Sequence, residues 1–244
     1  MPHSDSLPPS IASQAPPKSV AAILVAAGRG RRFGSAENKV LLPLAGRAIW
    51  IRAVEALQSS AAIASIVLVV RPCDRADLES IANTLSVSVI EGGQERYDSV
   101  RNGLRWLLES KDASPLIAVH DAARPLVSTA DIDAVVNAAF VSQAAILATP
   151  VRGTIKRSFG SRSSTVSRDH LWEALTPQVF AASVIHEAYD RHRGRPATDD
   201  AELVERTGTP VCLVPGSAEN IKITQAEDLQ IAEAIFSRRN SNHV

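Results

Sequence analysis

VAAILVAAGRGRRFGSAENK, from Val20 to Lys39, decides how the chain is read. Its first half is an apolar run of strand character; its second half is a basic turn with glycines at 28, 30 and 34. Glycines after a first strand let backbone N–H groups turn inward around an anion. Two common phosphate loops do not fit. A dinucleotide fingerprint needs glycine where Phe33 stands, and a P-loop needs Gly-Lys-Ser/Thr after four intervening residues, which does not occur. Arg29, Arg31, Arg32 and Lys39 supply the charge, so the stretch reads as an anion site at the first strand–helix junction.

Working outward, apolar runs recur at Val20–Ala26, Ile63–Val70, Val87–Ile90, Leu116–Val119, Ala145–Ala148 and Val211–Val214. Between them lie helical spacings at Ile49–Leu57, Ala76–Ala82, Ser99–Leu108, Ile132–Val141, Ala181–Arg191 and Ala226–Phe236. Strands apolar on both faces, alternating with helices, predict an α/β fold: a Rossmann-like, mostly parallel sheet with helices on both faces. Ligands in such sheets sit beyond the carboxyl ends of the strands. That rule selects the loops Ala26–Lys39, Glu91–Arg96, His120–Arg124 and the residues after Ala148. Val151–Trp172 is polar, basic and Gly-Ser-rich at its tip, and predicts a β-arm over about 151–170 that leaves the core in search of a partner.

The remaining organisation is plain. Residues 1–19, rich in Pro and Ser, predict a disordered tail, 20–238 a single domain, and 239–244 a short C-terminal tail. No apolar run reaches the ~20 residues of a membrane span, and the N-terminus lacks the apolar centre of a secretory signal. The formal net charge is zero over 244 residues, so no global field recruits nucleic acid or an anionic membrane. Cys73 and Cys212 form no metal or redox motif and read as reduced thiols of a cytoplasmic protein.

Three further clusters carry candidate chemistry. In GGQERYDSVRNGL (Gly92–Leu104), two glycines end a strand, and Asp98 or Ser99 would cap the helix that follows. Gly92-Gly93 suits a flat base lying against the backbone. In LIAVHDAARPLV (Leu116–Val127), Asp121 arrives at a strand's end beside Arg124, a natural anchor for Mg²⁺, which takes one or two carboxylates plus phosphate oxygens. His120 reads as a packed histidine outside the chemistry. In AENIKITQAEDL (Ala218–Leu229), Lys222 alternates with Ile221 and Ile223 in a short strand that the next helix would pin.

In order along the chain stand AAGRGRRF, NK, GGQERYDSV, VHDAARP, TPVRGTIKR, LWEALTPQ, TDDA and NIKIT. This ordered set, from about Val20 to Phe236, resembles the 2-C-methyl-D-erythritol 4-phosphate cytidylyltransferases of the non-mevalonate isoprenoid pathway. The resemblance implies a nucleotidyltransferase-type sheet and Mg²⁺-dependent transfer of CMP from CTP to 2-C-methyl-D-erythritol 4-phosphate, releasing pyrophosphate. It implies that Arg32, Lys39 and Lys222 are catalytic, holding the triphosphate and the charge at the α-phosphate, and that Asp121 places the metal. Ala26, Ala27, Gly28, Gly93 and Ser99 would frame the cytidine. Arg124, Thr154, Arg168 and Thr198 would serve the sugar phosphate, with the arm carrying Thr154 and Arg168 into the neighbouring subunit of a homodimer. Three residues depart from the pattern. Asn38 stands where a proline is common, which implies a looser loop before CTP binds; Asp200 replaces a glutamate; and Gln94 replaces an acidic residue and is assigned no role. The alternatives are a ribitol-5-phosphate cytidylyltransferase, which shares the CTP loop, and a non-catalytic CTP-binding protein of the same fold.

Overall fold

The computed structural model describes residues 14–28, 38–110, 114–192 and 194–241. The chain forms β1 (Val20–Val25), a 3-10 turn at Lys39–Leu41, a small ribbon of β2 (Pro43–Leu44) and β3 (Arg47–Ala48), and α1 (Ile49–Gln58). There follow β4 (Ile63–Val70), a 3-10 turn at Pro72–Asp74, α2 (Arg75–Thr84), β5 (Ser88–Glu91), α3 (Arg96–Glu109), β6 (Leu116–Asp121) and α4 (Thr129–Ser142). The last third holds β7 (Ala144–Pro150), the hairpin β8 (Ile155–Phe159) with β9 (Arg162–Val166), and β10 (Trp172–Ala181). It closes with α5 (Ala182–Asp190), α6 (Asp200–Glu205), β11 (Cys212–Pro215) and α7 (Ala226–Ser241).

Seven strands make one sheet in the order β11-β7-β10-β6-β1-β4-β5. β1 runs parallel to β4 and β6, and β4 to β5, while β10 is antiparallel to both β6 and β7. The period of two along β1 decides what covers it. Ala22 and Leu24 pack with Trp50, Val54 and Leu57 of α1, Leu78 of α2 and Ile132 and Val135 of α4. Ala21 and Ile23 pack on the other face with Val100, Leu104 and Leu107 of α3, Ile185 of α5 and Val204 of α6. Both faces are therefore dry, and the mostly parallel sheet follows as the sequence predicts. α3 lies close against β1 at Gly103, where a Cβ would come within 2.8 Å of Ile23 Cγ2.

β10 is the strand the apolar pattern does not reveal. Its first residues are exposed, Pro177 interrupts it, and its pairing with β7 slips between Ala174 and Gln178. Proline is tolerated in a sheet at such irregularities. α6 is also unannounced, being six residues long and started by Asp199, whose carboxylate accepts from Glu202 N–H. The hairpin β8–β9 forms a separate two-stranded sheet over the expected arm.

Of the expected N-terminal tail, residues 1–13 lie outside the described residues. Ala15 N–H donates to Asn137 Oδ1 (2.8 Å) and Lys18 N–H to the Ala61 carbonyl (2.9 Å). At the other end α7 runs through residue 239 to Ser241, later than the start of the expected tail. Arg238 and Arg239 both pair with Glu219, and Arg239 also donates to the Leu126 carbonyl (2.8 Å). No described helix is long and apolar enough to cross a membrane.

Candidate active site

Val25 and Asp121 are register partners at the ends of β1 and β6, so the loops after them open over one edge of the sheet. With the start of α3 and the segment before α7 they enclose a cavity of about 470 Å³. Its walls include Ala26, Ala27, Gly28, Lys39, Ser99, Asp121 and Lys222, expected site residues that come from four separate stretches of sequence. Gln94, to which the sequence assigned no role, also lines it. Arg32 lies outside the described residues.

Gly93 stands just behind this wall. Its N–H donates to Ser99 Oγ (3.2 Å), and the Ser99 hydroxyl donates to the Glu95 carbonyl (3.2 Å). A Cβ on Gly92 would meet Ala27 Cβ at 2.6 Å, and one on Gly93 would meet Asp98 Cβ at 2.1 Å. The close approach of the two loops therefore needs Gly92, while Gly93 leaves room for the first turn of α3 at Asp98. The cap of α3 differs from the expected one. Glu95 is the N-cap, and Asp98, as the third helical residue, accepts from the Glu95 N–H (3.3 Å) in a capping box. The apolar period begins only at Val100, so it misses the polar first turn; Ser99 is left free of capping and faces the cavity.

Asp121 sits between two cations. Its Oδ1 accepts from Arg96 Nε (3.2 Å) and its Oδ2 from Lys222 Nζ (2.6 Å). Burial pushes the carboxyl's pKa up, but Arg96 and Lys222 outweigh burial and hold Asp121 well below the usual carboxylate range. Arg96 continues to Asp200, pairing through Nη1 with Oδ2 at 2.8 Å, where the Asp200 side chain is only 1% exposed. Sequence reasoning passed over Arg96, although it was the cation of the GGQER stretch nearest the strand ends. Lys222 was expected on a short strand, but it lies on a segment that joins no strand ladder. That segment is tied down by Ile223 N–H to the Ala123 carbonyl (2.8 Å), Arg124 Nη1 to the Asn220 carbonyl (2.7 Å) and Asn220 Nδ2 to the Thr176 carbonyl (2.8 Å). The expected pinning is present; backbone and side-chain bonds supply it.

A second cavity of about 880 Å³ adjoins the first, with Lys222 and Thr224 on both walls and Arg124, Arg152 and Glu173 on its own. Arg124 Nε is buried there without a hydrogen-bond partner. Thr154 and Arg168 are exposed on the arm, where Arg168 donates to the Arg152 carbonyl. Thr198 is exposed beside α6, giving its N–H (2.7 Å) and hydroxyl (2.9 Å) to Glu202 Oε2, and neither cavity includes it.

His120 is packed, as expected, and fully buried. A carbonyl can only accept, so Nε2 carries the proton and donates to the Arg124 carbonyl (3.1 Å). Nδ1 then accepts from the Thr176 hydroxyl (2.9 Å), which itself accepts from the Asp121 N–H (3.1 Å). Burial pushes the imidazole pKa down from 6.5 to about 4. Between those values only the unfolded chain takes the proton, so this contribution to stability is lost as pH falls. From pH 7.5 to 5.5 His120 should withdraw about 1 kcal/mol. Urea unfolding of wild type and His120→Gln at the two pH values checks this. The variant should show the smaller pH dependence, and equal dependence would refute it.

Among the described residues no three of His, Cys, Asp or Glu cluster as a metal cage. The hard donors on the cavity wall are two carboxylates, Asp121 at the end of β6 and Glu95 at the start of α3. That set fits a Mg²⁺ arriving with phosphate oxygens and keeping its waters, not one held by protein alone.

A family model for 2-C-methyl-D-erythritol 4-phosphate cytidylyltransferase matches residues 20–238. Among curated proteins, the 2-C-methyl-D-erythritol 4-phosphate cytidylyltransferase of Rhodopirellula baltica is 47% identical over 238 residues, covering 93% of this chain and 98% of its own. That of Pelotomaculum thermopropionicum is 43% identical over 229 residues, covering 90% and 95%. Among solved structures, the 4-diphosphocytidyl-2C-methyl-D-erythritol synthase of Anaerococcus prevotii superposes with a TM-score of 0.78 at 28% identity, over 90% of this chain and 99% of that one.

Proposed function

The chain belongs to the 2-C-methyl-D-erythritol 4-phosphate cytidylyltransferase family, and we propose that the paired cavities beyond β1 and β6 are where it works. It transfers CMP from CTP to 2-C-methyl-D-erythritol 4-phosphate in isoprenoid biosynthesis, giving 4-diphosphocytidyl-2-C-methyl-D-erythritol and pyrophosphate. The convergence of Gly28 and Ser99 with Lys39, Asp121 and Lys222 on one cavity carries the reading. Ala26, Ala27, Gly28, Gly93 and Ser99 frame the cytidine at one end. Lys39 and Arg32 hold the triphosphate, and Lys222, on the wall shared with the second cavity, lies between nucleotide and acceptor. Arg124, with its buried unpartnered Nε, receives the acceptor's phosphate side.

An oxygen of the acceptor phosphate attacks the α-phosphorus; that P–O bond forms as the α–β bridge breaks and pyrophosphate leaves. The nucleophile is already ionised, so no strong base is needed. The barrier is repulsion between polyanions and the charge gathering on the departing pyrophosphate. Fixed cations aimed at that charge, and positioning in line, lower it. Asp121 is the residue that would hold Mg²⁺, whose contribution is neutralisation of phosphate charge.

The base of the arm, at Arg152, Gly153 and Ile155, lines the second cavity, while Thr154 and Arg168 themselves line neither cavity and are exposed, which suits service at a second copy's site in a homodimer. The unpaired Cys73 and Cys212 suit a reducing cytoplasm. Pyrophosphate release tests the assignment. It should require CTP together with 2-C-methyl-D-erythritol 4-phosphate and stop when EDTA removes the divalent ion. Equal or better kcat/KM with ribitol 5-phosphate would replace the acceptor, and CTP binding without turnover of either would remove the activity.

A further inference from the structure

Asn38 closes the loop that begins after β1, and its side chain is almost wholly buried, 1% exposed. Its carboxamide makes three hydrogen bonds. Nδ2 donates to the Ala26 carbonyl (2.9 Å) and to Asp74 Oδ2 (2.8 Å), while Oδ1 accepts from the Val40 N–H (3.4 Å) as the cap of the Lys39–Leu41 turn. Asp74 is itself held by Arg71, Nε to Oδ2 and Nη2 to Oδ1, both at 2.7 Å. Ala26 is bound from the other side, its N–H donating to the Val69 carbonyl (2.8 Å).

The entrance of the loop at Ala26 and its exit at Asn38 are thus joined through one carboxamide, which an ion pair at the end of β4 backs. Of the natural side chains of this size, only an amide donates twice and accepts once in this arrangement. Aspartate would oppose both Asp74 and the Ala26 carbonyl, and serine lacks the second donor. The departure from proline at this position pointed to a looser loop. Residues 29–37 lie outside the described residues, but the exit is fixed, and by side-chain bonds in place of a ring. Lys39 is the first residue of the turn that Asn38 caps, so the direction in which its side chain leaves the backbone depends on that anchor.

We propose that Asn38 is a positioning residue for Lys39: backed by Asp74 and Arg71, it locks the loop's exit to its entrance and sets where the Lys39 ammonium meets the triphosphate. The proposal rests on the reading of Lys39 as a triphosphate ligand. Misplacing a catalytic group by about 1 Å can cost ~10²-fold, so loss of the anchor should register in kcat more than in binding of the acceptor.

The test is steady-state kinetics of the full chain as wild type, Asn38→Ala, Asn38→Ser, Lys39→Ala and the double variant Asn38→Ala/Lys39→Ala. Asn38→Ala should lower kcat about 10- to 100-fold while KM for the acceptor phosphate stays put. Asn38→Ser, which can keep the cap to Val40 but not both donors, should fall with it. In the Lys39→Ala background, Asn38→Ala should change kcat less than about twofold, because its effect passes through the missing ammonium. Effects that multiply in the double variant, or wild-type kcat in Asn38→Ser, would overturn the proposal. Should Asn38→Ala fail to fold, Asn38→Ser and its combination with Lys39→Ala give the same comparison. Wild-type kcat in Lys39→Ala alone would instead strike at the role of Lys39, and that single variant tells the two failures apart.

Discussion

Lys39→Ala is expected to lower kcat by ~10²–10³, about 3–4 kcal/mol of transition-state stabilisation, with the fold intact. The lysine lies on the cavity wall at the first position of its turn, so removing its side chain spares the Asn38 cap and the core residues and withdraws its charge from Asp228. Arg32→Ala should act in the same direction. Turnover near wild type in Lys39→Ala would sink the assignment. The same variant tests the arm. Mixed with an equal amount of Arg168→Ala and allowed to exchange subunits, it should regain about a quarter of wild-type activity, since a quarter of the sites in a dimer then pair an intact cavity with an intact arm. Two inactive preparations that stay inactive after exchange would leave each subunit to serve itself.

Arg96→Ala should produce the largest loss of stability, about 3–5 kcal/mol. Arg96 stands between Asp121 and Asp200, and the second carboxylate is almost without water. Removing the guanidinium leaves two charges facing each other across the space it filled. Urea midpoints measure the loss. Adding Asp200→Asn to Arg96→Ala should recover a large part of it, since the harm lies in the uncompensated buried charge. A double variant no more stable than the single one would assign the loss to packing.

How much of this was legible in the sequence differs from element to element. β1, β4, β6 and β7 announce themselves because both faces are covered, so nearly every residue is apolar. Their carboxyl ends then point to the right loops without further help. The candidate residues Ala26–Gly28, Lys39, Ser99, Asp121 and Lys222, which the fold brings to one cavity, could be picked out because each sits in a compact local motif. β10 could not, because its apolar stretch is broken by Pro177 and a slipped register, features that mean something only beside β6 and β7. Arg96 was missed for a related reason: Asp200, which gives its position meaning, lies far along the chain. Asn38 looked like a lost proline, and only its buried contacts with Ala26 and Asp74 reveal an anchor.

The lone antiparallel strand has a consequence for synthesis. β10 separates the block β5-β4-β1-β6 from the pair β7-β11, so the two halves of the sheet meet only across it. When β6 has left the ribosome, its outer edge has no neighbour; β7 follows next in sequence but does not belong beside it. All six residues of β6 are buried in the finished fold, and an open, apolar edge of that kind is a template for pairing with another chain. The edge is sheltered only once Ala181 has emerged. A nascent chain paused between β7 and β10 is therefore at its most vulnerable to aggregation, and the stretch synthesised in that interval is the arm.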